Sequence, residues 1–116
     1  IIEAHHRHKK DAPSGTALAL GEAAATARHQ ELADAAVYGR SPQDGQRQPG
    51  TIGFHAKRGG NVVGEHTVEF FSDGEQVALH HSAISRRIYA DGALQAARWL
   101  IAQPPGIYGL KDMLAV

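Results

Sequence analysis

Thr51–Ser85 reads TIGFHAKRGGNVVGEHTVEFFSDGEQVALHHSAIS, and this stretch decides the fold class. Runs rich in β-branched and aromatic residues are broken at Gly59-Gly60-Asn61 and at Asp73-Gly74. Gly, Asn and Asp enter the positive-φ region of tight reversals at low steric cost, so both breaks are hairpin signals. The spacing predicts three strands, Thr51 to Arg58, Val62 to Ser72 and Gln76 to Ser85, joined as an antiparallel meander. Val62, Val63, Val68, Phe70, Phe71, Val77 and Leu79 offer more apolar strand surface than one short helix layer covers.

Upstream, Tyr38 to Gly50 is rich in Gly, Pro, Gln, Asp and Arg and reads as a surface loop. Ser14 to about Gln30 is mostly Ala and Leu and predicts a helix, with Ser14 as N-cap behind Pro13. Ala17, Leu20, Gly21, Ala24 and Arg28 share one face of it, and Gly21 there marks a close-packing contact. Ile1 to Ala4 reads as the end of a strand whose beginning lies upstream, so the chain is expected to be a piece of a longer protein. Downstream, Ala90 to Gln103 predicts a second helix, stopped by Pro104-Pro105-Gly106. Its apolar stripe is Ala90, Ala93, Leu94, Ala97 and Ile101, with Trp99 almost opposite, facing either water or a second buried surface. The fold class is α+β, a mixed, mostly antiparallel sheet of about four strands with helices packed on one face.

The 116 residues suit one domain, and 12 basic against 12 acidic side chains leave no net charge. That balance argues against a nucleic-acid or membrane-surface binder. No apolar run approaches the ~18 residues of a membrane span. Cysteine is absent, which removes disulfides and thiolate metal sites and fits a cytoplasmic setting.

Glu3 to Ala17, EAHHRHKKDAPSGTA, concentrates His5, His6, His8, Arg7, Lys9 and Lys10 ahead of the first helix. Metal binding is one reading, from the His5/His8 spacing, but three neighbouring cations oppose a divalent ion. A solvated polar loop is another. The third is an anion-binding active site. The helix opened by Ser14-Gly15-Thr16 directs unpaired amides and its positive dipole end outward. Gly15 permits close approach, and the Ser14 and Thr16 hydroxyls add donors. Lys9 could hold a second anionic group or donate a proton, and His5 or His6 could titrate near neutral pH. These parts suit a small dicarboxylate whose reaction builds up negative charge.

The stretch EAHHRHKKDAPSGTAL resembles the signature of the dihydrodipicolinate reductase family of bacterial lysine biosynthesis, roughly E-x-H-H-x-x-K-x-D-x-P-S-G-T-A. VYGR, PGTIGFHAKRGGNVVGEHTVEFFSDGE, SRRIYADGALQAARWL and GIYGLKDML extend the likeness over essentially the whole chain. The resemblance implies His5 as catalytic proton donor or acceptor and Lys9 as proton donor. It implies His6 as a substrate contact and Gly15-Thr16, beside Ser14, as the carboxylate-binding start of the helix. It further implies hydride transfer from NADPH or NADH to a cyclic unsaturated imine dicarboxylate, giving tetrahydrodipicolinate. The resemblance divides the chain into 1–86, for substrate binding, catalysis and assembly, and 87–116, a return segment toward a cofactor domain upstream. A homotetramer built through the sheet is also implied; the expectation of no metal rests on Arg7, Lys9, Lys10 and the lack of cysteine.

Arg86 is a possible substrate or cofactor contact, or a hinge residue. His66 and Glu65 read first as structural strand residues, with a functional role as the alternative; His29 and His55 read as surface residues, and His80 and His81 carry no assigned chemistry. No glycine-rich dinucleotide fingerprint is present; GGNVVG lies between two strands and opens no helix. The competing function is a non-catalytic oligomerisation module that binds an anionic metabolite at the same helix end.

Overall fold

Alternation along the first residues sends Ile1 and Glu3 to one face, and the strand they form is the middle of the sheet. In the computed structural model, which describes residues 1–115, β1 (Ile2–His5) lies between β3 (Ile52–Arg58) and β4 (Gly64–Phe71). The sheet has five strands in the order β2-β3-β1-β4-β5, where β2 is Ala36–Tyr38 and β5 is Gln76–Ala83. β3 runs parallel to both β1 and β2, while β4 is antiparallel to both β1 and β5. The mixed α+β sheet is as the sequence implies, with five strands in place of about four.

The Asp73-Gly74 hairpin forms as expected, with Phe71 opposite Gln76. The meander does not continue back to β3. Gly59-Gly60-Asn61 carries the chain across the end of β1 as it reverses, so β3 and β4 flank β1 and do not pair with each other. The Gly59 amide donates to His5 O at 3.1 Å, and the Arg7 amide donates to Gly60 O at 3.2 Å. Gly60 has a φ of +50°, which suits this passage as well as it would a hairpin. The parallel β1–β3 pair needs a crossover, which α1 (Gly15–Ala27), α2 (Leu32–Ala35) and β2 supply. β2 takes the start of the segment read as loop; the Gly39 amide extends its ladder to Phe54 O at 2.8 Å.

Two compact units make up the chain, Ile1–Ile84 and Ser85–Val116. In the first, α1 buries Ala17, Gly21 and Ala25, a four-residue spacing that makes one stripe. Arg28, expected on that face, is exposed, and Ala25 takes the place. The stripe meets Phe54, Ile52 and Ala35, with Ile1, Ala24, Leu32 and Ala36 around them. A Cβ added at Gly21 would run into the ring of Phe54, which brings helix and sheet closer than any larger residue allows. In the second unit, α3 (Arg87–Leu100) begins ahead of Ala90, where Ser85 Oγ accepts the Arg87 amide at 3.2 Å. The Trp99 ring meets Tyr108 edge-on at 5.4 Å, and Tyr108 Oη donates to Pro104 O at 2.8 Å. α4 is Leu110–Leu114.

Gly21→Ala is expected to destabilise the fold by about 1–3 kcal/mol despite its better helix propensity, because the methyl overpacks a closed contact. At Gly15 an added Cβ meets open space, so Gly15→Ala should stay within about 0.5 kcal/mol of wild type. Urea unfolding followed by circular dichroism separates the two.

Candidate functional site

The connection from β1 to α1 spends its polar groups in a definite order. Ser14 is the N-cap of α1, and its Oγ accepts the Ala17 amide at 3.2 Å. The same oxygen lies 2.9 Å from His66 Nε2, so the hydroxyl is engaged from both sides and Ser14 is buried. Gly15 and Thr16 follow in the first turn, exposed, where no preceding carbonyl exists for their amides. The start of α1 therefore offers outward donors on a rigidly capped base.

Behind this turn is a buried acid. Glu3 is 2 % exposed. Its carboxylate accepts the Ser14 amide at 3.1 Å, the Arg58 guanidinium as a fork at 2.7 and 2.8 Å, and lies 2.7 Å from His5 Nδ1. Burial pushes a carboxyl upward; here hydrogen bonds from Arg58, His5 and Ser14 and the Arg58 charge outweigh it and hold Glu3 below its ordinary value. The Glu3 hydrogen bonds raise Arg58 in turn, against its own desolvation. Arg58 also donates to Asp11 O at 2.6 Å, tying β3 to the connection. His66 stands edge-on to His5, with ring centroids 5.1 Å apart. Burial, then the neighbouring His5, pushes His66 below its ordinary value, with His81 and Lys9 adding to the shift against the pull of Glu3.

Of the residues singled out from sequence, His5 and Ser14 are joined through Glu3 and His66, and Gly15 and Thr16 adjoin them at the helix start. Lys9 Nζ donates to Asp11 Oδ1 at 2.8 Å on the same connection. His6 Nδ1 accepts the His8 amide at 3.2 Å. Arg86 lies in the second unit, immediately before α3. The sequence assigns no role to Glu3 or Arg58 and reads His66 first as a strand residue, with a functional role as the alternative. One signal was available: Glu3 shares the face of Ile1, where a carboxylate needs a cation, and Arg58 ends a strand of the same sheet.

Among the described residues, no three His, Cys, Asp or Glu side chains gather as metal ligands. The segment Gly59 to Gly64 passes over β1 into β4 and opens no helix, so it does not fit a dinucleotide's phosphates. Near the start of α1 stand the Glu3, Arg58, His5 and His66 side chains, and the connection that leads to it carries the Lys9–Asp11 pair.

Residues 1–114 match the family model described as "Dihydrodipicolinate reductase, C-terminus". The chain is 58% identical over all of its 116 residues to the 4-hydroxy-tetrahydrodipicolinate reductase of Halorhodospira halophila, covering 43% of that protein. It is 55% identical over 114 residues, 98% of its length, to that of Magnetococcus marinus, covering 42% of it. It thus spans less than half the length of the curated relatives it matches. A solved structure, the dipicolinate-bound dihydrodipicolinate reductase from Paenisporosarcina sp. TG-14, shares the fold with a TM-score of 0.72. The identity there is 24%, over 97% of this chain and 43% of that one.

Two groups depressed on folding give stability a defined pH dependence. Glu3 and His66 both bind protons less well folded than unfolded, so each contribution is complete above the unfolded value and is lost as pH falls toward the folded one. Urea midpoints should therefore decline first below about pH 6.5 through His66 and again below about pH 4.5 through Glu3. His66→Gln should flatten the first decline only.

Proposed function

Because this chain belongs to the dihydrodipicolinate reductase C-terminal family, we propose that it is the substrate-binding and catalytic part of a nicotinamide-dependent reductase. The substrate is a cyclic unsaturated imine dicarboxylate, 4-hydroxy-tetrahydrodipicolinate, and the product tetrahydrodipicolinate. The part of the relatives' length that this chain does not span holds the nucleotide, NADPH or NADH. The observation that carries this reading is the exposed Gly15-Thr16 start of α1 beside the Glu3-bound His5. The non-catalytic module has no comparable support from the family match.

One substrate carboxylate lies against the Gly15 and Thr16 amides and the Thr16 hydroxyl, where helix-end N–H groups favour an anion. Ser14 serves by capping the helix at that point. His6 and Lys9 hold the rest of the dicarboxylate, so the ring is fixed before reaction. A reduced nicotinamide, when bound, would supply the hydride, and the 4-hydroxyl group would leave with one proton as water, which balances the conversion. His5 and Lys9 hold protons next to the ring, where developing negative charge is stabilised and neutralised. Arg86 is a further candidate contact to substrate or cofactor. A cytoplasmic setting goes with this reading.

Assembly through the sheet, as a homotetramer, belongs to the same proposal. Its support is the apolar surface left open on one face of β4 and β5, where Phe70 is 49%, Val77 50% and Leu79 65% exposed. Such a cluster on a paired hairpin is more than scattered surface residues require. Sedimentation of the full-length protein should show a tetramer that Phe70→Glu with Leu79→Glu dissociates; a monomeric wild type at micromolar concentration excludes the assembly.

Calorimetric titration with pyridine-2,6-dicarboxylate, a planar substrate mimic, tests the site. Removing a hydrogen-bond donor to a charged group costs about 1.5–3 kcal/mol, so Thr16→Val should bind roughly 10–100-fold more weakly. Gly15→Ala should also lose affinity while keeping its stability. Equal affinity in all three proteins removes the helix-end site.

A further inference from the structure

Glu3 is the one fully buried large side chain of the described fold, and it is an acid. An ionised carboxylate can only accept hydrogen bonds. Four donors converge on it: two nitrogens of Arg58, the Ser14 amide and His5 Nδ1. At 2.7 Å from Oε2, Nδ1 must therefore carry a hydrogen. From this geometry we propose that Glu3, locked by Arg58, is a positioning residue that fixes His5 as its Nδ1–H tautomer. Nε2 is then the nitrogen that exchanges a proton with the bound dicarboxylate. The inference rests on the reading that His5 moves a proton in the reaction.

Every element around His5 contributes to this arrangement. From β3, Arg58 neutralises Glu3, and the backbone oxygens of Asp11 and Lys57 hold its fork in place. Glu3 and Arg58 together bring no net charge, so what His5 receives is mainly direction. From β4, His66 faces the imidazole edge-on, and His81 of β5 is close enough to act on His66. From the connection, Lys9 adds positive charge, partly offset by its own pair with Asp11. The buried His66 engages the Ser14 hydroxyl, and a second positive imidazole beside His5 is disfavoured by both burial and repulsion.

Glu3→Gln preserves shape but also removes the charge opposite Arg58 and the Nη1 hydrogen bond to Oε2, so the tautomer is read from the nitrogen signals and not from activity alone. The amide has one acceptor where the carboxylate has two. With its oxygen taken by Arg58 and Ser14, its NH₂ group faces His5 Nδ1. The imidazole must then accept at Nδ1 and carry its hydrogen on Nε2, the reverse of the native tautomer.

The experiment uses the full-length protein with ¹⁵N-labelled histidine and long-range ¹H–¹⁵N correlation spectra, with and without pyridine-2,6-dicarboxylate. Wild type should show His5 protonated at Nδ1, and Glu3→Gln should show Nε2–H. The variant should lose about 100-fold in kcat while its affinity for the mimic changes by less than about threefold. A structural role alone would lower affinity and stability together without exchanging the two nitrogen signals. An Nε2–H tautomer in wild type overturns the inference, and that spectrum decides even if Glu3→Gln does not fold. A reversed tautomer with unchanged kcat also overturns it, provided that His5→Ala is impaired. If His5→Ala turns over normally, the proton-transfer reading of His5 fails, and the inference fails with it.

Discussion

A carboxylate taken out of water is stable only when something positive and well directed goes with it. Glu3 imposes that requirement on the first unit, and the solution fixes its architecture. Arg58 must reach the middle of the sheet from the end of β3, so β3 has to lie beside β1 in the register that sets His5 against Arg58. Ser14 must offer its amide from the other direction, so the helix has to begin where it does. The same carboxylate thereby locates strand, helix start and imidazole relative to one another. Breaking the pair from either side would leave an uncompensated charge in the interior, which is why the arrangement behaves as a unit.

The packing layer under the site is thin. Its buried residues are mainly alanines, with Phe54 as the one aromatic among them. Small side chains let α1 sit close to the sheet, and Gly21 over Phe54 is the point of nearest approach. Closeness of that kind has a functional side. A helix held near the sheet along one stripe has little freedom to roll, so its first-turn amides keep a constant direction. The polar cluster and the apolar stripe thus serve the same end from opposite ends of the helix.

Much of this could be read from residues acting locally. Ser14 as N-cap, Gly21 as a close contact and Asp73-Gly74 as a hairpin each follow from the chemistry of a few adjacent positions. What could not be read depends on partners far apart in sequence. Gly59-Gly60-Asn61 has the same composition whether the chain reverses beside its own strand or steps across another. Only the insertion of β1 decides between them. β2 is three residues long, too short for any period to show. Glu3 looks like one acid among many cations, because the guanidinium that justifies its burial lies 55 residues away. His66 reads first as structural for the same reason: its Ser14 partner is 52 residues distant.

β5 closes one end of the sheet, and along Gln76–Ala83 no Lys, Arg, Asp, Glu or Pro interrupts its outer rim. Natural edge strands are commonly guarded against unwanted annealing by such residues. An unguarded rim is a template onto which another extended backbone can zip. Where a proper neighbour does not cover it, this strand is the seam at which chains would stick, exchange segments or seed fibrillar deposits.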